Sequence, residues 1–409
     1  MKRLPTQVRG GALLLVILLA TVIAIGTTGL ILLLQYHWQY AASNLRQERL
    51  QRNLLSATNL LLTGHERPTN DTLSLHLFDG QQDSIMLACQ PWGAYYMATV
   101  WAYEQNDTLR HTFLMGKATH PDEQFTLYLA DEHLPLSLSG HTFIRGDVFL
   151  PEAGIRKSYI ENEAYAFEET LHDGKILHSS TSLPTPDTAL VSYLSKSLKP
   201  AAYVADSVAI GAHTVLSSSV VRANHAITVA ADANLNDILL FAPYIRFESG
   251  FHGRLQAFAS DSLIVGSSCR FDYPSALGLI HPPTDSLFSE FSPLVRVDSA
   301  STLNGTIFTY APSRDELLAR ITLAKETVIH GQVYADGLLE LRGKIHGTTW
   351  CRRFTLQTPS SLYDNFILDG VMDVTIRSSH YAGSPLFNTA RMRKVALTLN
   401  HTPAKNDTY

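Results

Sequence analysis

The sequence contains little charge. Only 17% of its 409 residues are Asp, Glu, Lys or Arg, against roughly 25% in ordinary soluble domains. The net charge is -5, and no stripe of basic residues marks a surface for nucleic acid. A chain of this length ordinarily folds as two or three domains. We therefore expect a multidomain protein that does not bind nucleic acid.

Cysteine is scarce as well. The three thiols belong to Cys89, Cys269 and Cys351, which are widely spaced and form no C-x-x-C pair. A thiolate zinc site needs such pairs, so we expect none. One disulfide could form if the protein faces an oxidising space. Otherwise the three cysteines act as small buried hydrophobes.

Sequence signatures of catalysis are missing. There is no G-x-S-x-G elbow, P-loop or dinucleotide fingerprint, and the 17 histidines form no H-x-H or H-E-x-x-H motif. Three groups of chemically capable residues are close in sequence: Asp261, Arg270 and Asp272; Cys351, Arg352 and Arg353; and His120, Asp122, Glu123, Asp131, Glu132 and His133. We interpret all three as surface groups and expect no catalytic residue, no cofactor and no metal. The adhesion tripeptide Arg145-Gly146-Asp147 falls in a predicted strand, and we attribute it to chance.

An apolar motif repeats between residues 208 and 362. Each copy begins at the second residue of an alternating apolar pair and has another apolar residue six positions after its first residue. The copies begin at Ile210, Val229, Val265, Val297, Leu323 and Leu356. The alternating pairs start at Val208, Ile227, Ile245 and Leu263, which are 19, 18 and 18 residues apart. Strand-type alternation with a period near 18 predicts a parallel β-helix, a solenoid in which each turn of chain buries its apolar face against the next. We expect the first residues of the copies to stack inward as a ladder.

An uncharged apolar run covers residues 11–34. As a helix these residues span about 36 Å, more than a hydrocarbon core of about 30 Å. The run is too long for an ordinary signal-peptide core, so we predict a retained single-pass anchor. Lys2, Arg3 and Arg9 precede it. This charge bias places the N-terminus in the cytoplasm and the bulk of the chain outside the inner (cytoplasmic) membrane.

The helical pattern continues beyond the apolar run. Apolar residues recur at helical spacing without Pro or Gly between residues 30 and 63, namely Leu45, Leu50, Leu54, Ala57 and Leu61. Gly64 and Pro68 then provide a stop. We predict one helix over residues 10–62, about 80 Å long. Its outer half carries an apolar stripe that needs a partner.

This N-terminal segment resembles those of type IV pilins and type II secretion pseudopilins. Four features produce the similarity: a short basic leader, the sequence Arg9-Gly10-Gly11, a run of small and apolar residues, and a long amphipathic extension. In those families such helices pack together into a filament core. The resemblance implies cleavage after Gly10, which would put Leu15 at the fifth mature position, where most pilins have Glu.

Beyond the helix the apolar period changes to two. Strands are predicted at Leu73 to Leu77, Ile85 to Cys89, Ala94 to Tyr103, Arg110 to Met115 and Phe125 to Leu129. The fold that we predict is mainly β, with a long N-terminal transmembrane helix, a small antiparallel sheet domain and a parallel β-helix. Its domains are 1–64 for the anchor and extended helix, 70–137 for the antiparallel domain, 138–375 for the β-helix with an excursion at 152–200, and 376–409 for a C-terminal tail.

The most regular repeats lie at residues 329–347. This segment resembles bactofilins, the polymer-forming β-helix proteins of bacteria, and the resemblance implies a scaffold. Five glycines suit tight corners where a positive φ costs little: Gly211, Gly266, Gly331, Gly337 and Gly343. Two insertions, 281–292 and 311–318, interrupt the coil and could carry a ligand, since insertions in solenoids often gather on a binding face.

We therefore expect a membrane-anchored extracytoplasmic scaffold without a small-molecule substrate. It would self-associate, or join a pilus-like or cell-envelope assembly, through the helix stripe, through end-to-end stacking of the coil, or both. The alternative is a cell-surface β-helix protein that acts on or binds polysaccharide. Carboxylates stacked on one face of the coil would favour the enzyme. An aromatic cluster with Phe288 and Phe291 in the insertions would favour the binding module.

Overall fold

The protein is mainly β with one long apolar N-terminal helix. Its structure is a computed structural model that describes residues 11–63, 72–76, 83–119, 124–167, 171–281, 292–311, 318–378, 380–387 and 392–397. The chain divides into two compact units. The first takes its residues from Met1–Leu61, His65–Ala88 and Thr99–Thr112, and the second from Leu62–Gly64, Cys89–Ala98 and Phe113–Tyr409.

Two helices and 28 strands are present in the described residues. In chain order they are α1 (Gly11–Thr63), β1 (Leu73–Leu75), β2 (Asp83–Trp92), β3 (Tyr95–Glu104), β4 (Asp107–Thr119), β5 (Phe125–Leu129), β6 (Leu136–Ser139), β7 (Phe143–Arg145), β8 (Asp147–Leu150), β9 (Ile155–Lys157), β10 (Tyr159–Ile160), β11 (Glu163–Ala164), β12 (Ile176–His178), α2 (Thr188–Ser197), β13 (Ser207–Ile210), β14 (Val215–Ser217), β15 (Val220–Arg222), β16 (Ala226–Val229), β17 (Asn234–Phe247), β18 (His252–Val265), β19 (Arg270–Ile280), β20 (Leu294–Val297), β21 (Thr302–Tyr310), β22 (Arg320–Leu323), β23 (Val328–Leu341), β24 (Lys344–Gln357), β25 (Leu362–Asp364), β26 (Phe366–Leu368), β27 (Val371–Asp373) and β28 (Met392–Leu397).

Helix α1 matches the predicted helix to within one residue at each end. Its side chains from Leu13 to Tyr40 are exposed. Its mean hydropathy reaches 2.6 over an 18-residue window, so the helix is long and apolar enough to cross a membrane.

The second half of α1 is packed within the first unit. Leu50, Ala57 and Leu61 are almost completely buried, and Leu54 is partly buried. Leu45 is 55% exposed and does not belong to this buried stripe. From Leu50 onward the apolar stripe is therefore already covered by the protein's own chain.

The antiparallel strands differ from the prediction at two places. Phe125–Leu129 was expected among them, but β5 pairs in parallel with β24 and β8. The strand next to β4 is instead β28, which runs antiparallel to it and lies in the predicted C-terminal tail. Strands β2, β3 and β4 run through both compact units.

The largest sheet is built mostly from parallel pairs, and its strand order closes on itself. Val208 pairs with Ile227, Ile227 with Ile245 and Ile245 with Leu263. This is the register that the period of the sequence predicts. One inward ladder consists of Ile210, Val229, Phe247, Val265, Val297, Leu323 and Leu341, all 5% exposed or less. The inward ladder is thus confirmed for the first five copies of the motif.

The sixth copy of the motif folds differently. Strands β24 and β25 form an antiparallel pair in which Leu356 lies opposite Tyr363. Leu362 is 57% exposed instead of buried in a ladder. The reason is a tight turn, in which the backbone N–H of Thr358 donates to the carbonyl of Ser361 and the N–H of Ser361 donates to the Thr358 hydroxyl.

One row of this sheet contains ten strands, each parallel to the next. In order they are β15, β17, β18, β19, β21, β23, β24, β5, β8 and β12. At about 4.8 Å between neighbouring strands, the row is about 43 Å long. Residues 155–157 and 176–178 lie in the predicted excursion, but residues 176–178 return to this sheet as β12, and residues 155–157 form β9 in a separate three-stranded sheet with β6 and β26. We call this parallel assembly the stack.

Only one of the five glycines predicted at corners, Gly331, has a positive φ. It belongs to a column with Gly305 and Gly347, which are paired with it on either side. A Cβ on Gly331 would collide with the carbonyl oxygen of Gly305, and one on Gly347 with that of Gly331. Close backbone approach therefore requires glycine in this column.

Candidate functional site

The stack has two ends with different surfaces. At the first end, β13 pairs only with β16, and β14 and β15 pair only with β17, among the described strands. At the second end, β9 pairs with β6 and β12 pairs with β8. A strand paired on one side leaves a row of N–H and C=O groups free to pair with another chain.

The apolar interior is open at the first end. Val208, Leu216 and Val221 begin the inward ladders and are only partly buried. Their partners in the next layer are Ile227, Leu235 and Leu240, all 0% exposed. This difference indicates that no described segment covers the ladders here.

Exposed apolar side chains precede two of these inward residues in β14 and β15. Val215, next to Leu216, is 71% exposed, and Val220, next to Val221, is 42% exposed. We call β13, β14 and β15, with the side chains of Val208, Leu216 and Val221, the open end.

The second end is covered in part by its own chain. The inward residues there are Leu136, Leu138, Ile144, Val148 and Leu150, all 1% exposed or less. Ile155, Tyr165 and Leu171 pack against them. Ile176 and Leu177 of β12 are 50% and 40% exposed. Ile176 is the partner of the inward Val148 and ends the ladder that Val221 begins. Edge strands and an exposed ladder end are thus present at the second end as well, whereas the first end has three adjacent ladder ends, Val208, Leu216 and Val221.

The flank of the stack carries a second apolar cluster. Leu190 and Leu194 of α2 are buried there with seven aromatic residues, Tyr95, Phe241, Phe258, Phe308, Tyr334, Trp350 and Phe387. Asp187 begins α2 by accepting hydrogen bonds from the N–H groups of Ala189 and Leu190 at 2.9 and 3.1 Å. This flank is therefore internal, and it is not available for partners.

The first group of candidate site residues is Asp261, Arg270 and Asp272, and the structure brings only the last two together. Asp272 accepts a hydrogen bond from Arg270 Nε at 3.2 Å and lies 2.7 Å from Nε2 of His252. Asp261 is exposed, and in the described part of the chain no contact joins it to this group. A second carboxylate is thus missing from the cluster.

Arg353 of the second candidate group contacts Glu132 of the third. Its Nε donates to Glu132 Oε2 at 2.6 Å, and Asp364 lies 3.5 Å from its Nη1. Side-chain hydrogen bonding to Glu132 raises the pKa of Arg353. Burial raises the pKa of the fully buried Cys351 thiol far above its ordinary value, so that the thiol is no nucleophile.

The acidic part of the third group forms a turn. Asp131 accepts backbone hydrogen bonds from His133 at 2.8 Å and Glu152 at 3.2 Å. These bonds lower the pKa of its carboxyl. His120, Asp122 and Glu123 lie outside the described residues.

The adhesion tripeptide lies at a corner between β7 and β8 and not within one strand, because Gly146 takes a φ of 106°. Arg145 is paired with Asp173 at 3.3 Å and Asp373 at 3.5 Å. Asp147 accepts a hydrogen bond from the N–H of Lys175 at 2.9 Å. Both charged side chains are therefore engaged within the protein.

The remaining predicted features are settled in part. Residues 282–291 and 312–317, which make up most of the two insertions, lie outside the described residues, and so do Phe288 and Phe291. Cys89, Cys269 and Cys351 form no disulfide with one another in the described part of the chain; Cys89 is partly exposed, and the other two are buried. Within the parallel registers of the stack, no two carboxylates of the described strands are direct partners. The arrangement that would favour a polysaccharide-cleaving enzyme is not found in this part of the chain.

No protein-family model, no curated protein and no solved structure matches this chain.

Proposed function

We propose that this protein is a membrane-anchored extracytoplasmic scaffold and that its stack is a parallel β-helix which joins a second copy end to end. The β-helix interpretation is supported by the parallel registers at spacings of 18 and 19 residues and by the inward ladder. It is also supported by the row of ten strands, each of which is parallel to the next. This proposal retains the scaffold role implied by the resemblance to bactofilins.

The anchor in this proposal is the exposed first half of α1. It lies in the inner membrane with the N-terminus in the cytoplasm, because Lys2, Arg3 and Arg9 precede it. On the other side, Arg46 and Arg49 are already paired with Asp107 and Glu104. Their charges are partly neutralised, which supports the same orientation.

The proposal of self-association depends on the open end. Among the described strands, β13, β14 and β15 have no partner on one side, and the interior residues Val208, Leu216 and Val221 are partly exposed to water. A second open end supplies matching backbone groups and matching apolar area. The same surface then serves both copies, which is the isologous arrangement of a two-fold dimer.

Assembly through the helix stripe is less favoured. Leu50, Ala57 and Leu61 are already buried within the first unit. A pilus-like bundle would then have only the membrane half of α1 available for contacts between copies. We therefore assign assembly to the open end of the stack.

The test is analytical ultracentrifugation of the full-length protein in detergent. The variant Val215→Lys/Val220→Lys places two cations on the exposed rim of the open end. Like charges would face each other across the two-fold axis, so we expect the dimer to dissociate at least tenfold more readily than in the wild type.

The control for the second end is Ile176→Lys/Leu177→Lys, which places two cations on β12, where the exposed fractions are 50% and 40%. We expect this control to sediment as the wild-type dimer does. A wild-type protein that stays monomeric at high concentration, or a control that dissociates as readily as the open-end variant, would contradict the proposal.

A further inference from the structure

Three potential metal ligands converge near the second end of the stack. His141 lies between β6 and β7, Glu163 lies in β11, and Asp369 lies between β26 and β27. One ligand atom from each falls within 4.8 Å of the other two. The three residues come from three separate segments, so the fold itself brings them together.

Backbone hydrogen bonds hold these positions. The N–H of His141 donates to Asp369 Oδ1 at 2.9 Å. The N–H of Gly140 donates to the carbonyl of Ala164 at 3.2 Å, and the N–H of Ala166 donates to the carbonyl of Gly140 at 2.9 Å. The chain on either side of each ligand is therefore fixed before any ion binds.

The side chains are also oriented. The ring of His141 meets the ring of Phe167 edge to face, at 6.4 Å between centroids. Nδ1 of His141 lies 3.6 Å from Asp369 Oδ1. Ligand atoms at about 2.0–2.2 Å from a tetrahedral or octahedral ion are roughly 3 Å apart, so small rotations of exposed side chains suffice to close the site.

Charge favours a cation here. Within the part of the chain that the structure describes, neither Glu163 nor Asp369 forms an ion pair with Lys or Arg. A neutral imidazole and two carboxylates carry a charge of about -2, which a divalent ion compensates. Imidazole nitrogen selects Zn²⁺ and other first-row metals over Ca²⁺ and Mg²⁺, which prefer oxygen ligands alone.

We propose that His141, Glu163 and Asp369 bind a first-row divalent cation with Zn²⁺-type chemistry, whose remaining positions are filled by water. The ion would tie the β10–β11 pair to the corners at Gly140 and Asp369, and so fasten the segment that covers the second end of the stack. This site does not depend on self-association through the open end.

The test is a Zn²⁺ titration of the full-length protein in detergent, treated with chelator and then dialysed, followed by calorimetry. We expect one saturable site per chain. Glu163→Gln removes one ligand at an exposed position, and we expect it to weaken Zn²⁺ binding by at least about tenfold. Zn²⁺ should also raise the thermal unfolding midpoint of the wild type and not that of Glu163→Gln.

The matched control is His213→Gln. Nδ1 of His213 lies 3.3 Å from Asp232 Oδ2 in an exposed pair, without a third ligand among the described residues. This variant should bind Zn²⁺ as the wild type does. Absence of saturable binding, equal affinity in Glu163→Gln and the wild type, or loss of binding in His213→Gln would overturn the proposal.

Discussion

At the scale of the residue, the fourth position of the repeated motif has a left-handed backbone. His213, Ser268, Ala300 and Glu326 occupy this position in four copies, with φ values of 59°, 56°, 57° and 62°. None is glycine, so residue type could not reveal these corners in the sequence. The glycines that were predicted there have other roles, such as the close backbone contact at Gly331.

Ala300→Gly should therefore stabilise the protein. The change relieves about 1–2 kcal/mol of left-handed strain, offset by about 0.5–1 kcal/mol of extra chain entropy in the unfolded state. We expect a net gain of about 0.5–1 kcal/mol in urea unfolding. Ala212→Gly is the control, since this exposed residue of an equivalent corner has no positive φ. It should lose stability, and a gain of the same size in both variants would contradict this account of the corners.

Two stacked histidines give a second prediction at this scale. Nδ1 of His330 and Nδ1 of His346 are 3.3 Å apart. Burial lowers the pKa of His330. Burial also lowers the pKa of His346, with smaller contributions from His330 and Lys344 in the same direction and from Asp373 in the opposite one.

The unfolded chain therefore binds more protons than the folded one just below the unfolded pKa of about 6.5. Stability should be constant above that pH and should fall as pH drops from 6.5 toward the lower folded values. We expect His330→Asn/His346→Asn to reduce the difference in unfolding free energy between pH 7.5 and pH 5.5. The exposed His213→Asn is the control. An unchanged pH dependence in the double variant would show that this pair does not titrate as proposed.

At the scale of the element, α1 is attached to the turn between β3 and β4 by ion pairs. Arg49 contacts both carboxylate oxygens of Glu104, whose side chain is only 11% exposed. Nε of Arg46 donates to Asp107 Oδ2 at 3.0 Å, where the carboxylate is 44% exposed. The two pairs should therefore differ in strength, since solvent screens the exposed pair.

Arg49→Met should loosen the second half of α1 because it leaves the Glu104 carboxylate desolvated without this partner. We expect a local cost of about 1–3 kcal/mol, measured as faster hydrogen–deuterium exchange over residues 46–61. Arg46→Met should cost less than about 1 kcal/mol. In Arg49→Met/Glu104→Gln the cost should be smaller than the sum of the two single changes. Equal hydrogen–deuterium exchange over residues 46–61 in Arg49→Met and Arg46→Met would contradict the predicted difference in strength between the two ion pairs.

Some elements could be predicted from the sequence much more completely than others. The limits of α1 and the register from Val208 to Leu263 follow from local periodicity, which the sequence displays directly. The pairing of β5 with β24 and of β28 with β4 joins segments more than 200 residues apart, and no local pattern encodes that choice. The sixth copy of the motif failed because a short turn around Ser360 competes with the corner.

At the scale of the whole molecule, the stack combines strands that precede α2 in the chain with strands that follow it. Strands β5, β8 and β12 extend the row beyond β24, and Ile155, Tyr165 and Leu171 pack against part of the interior there. The other end of the row begins at β15 and has no such cover among the described residues. The candidate site arises from this asymmetry. The sequence predicted the parallel registers but not which end would be less covered, because the covering segments precede the repeated motif in the chain.

The central claim is that the open end joins two copies along a common axis. Cryo-electron microscopy of the full-length protein in detergent tests this most directly. We expect pairs of rods joined at β13–β15, with two rows of about 43 Å each giving a combined length of about 90 Å. Particles that contain only single rods at high concentration, or rods that meet side by side, would contradict the claim.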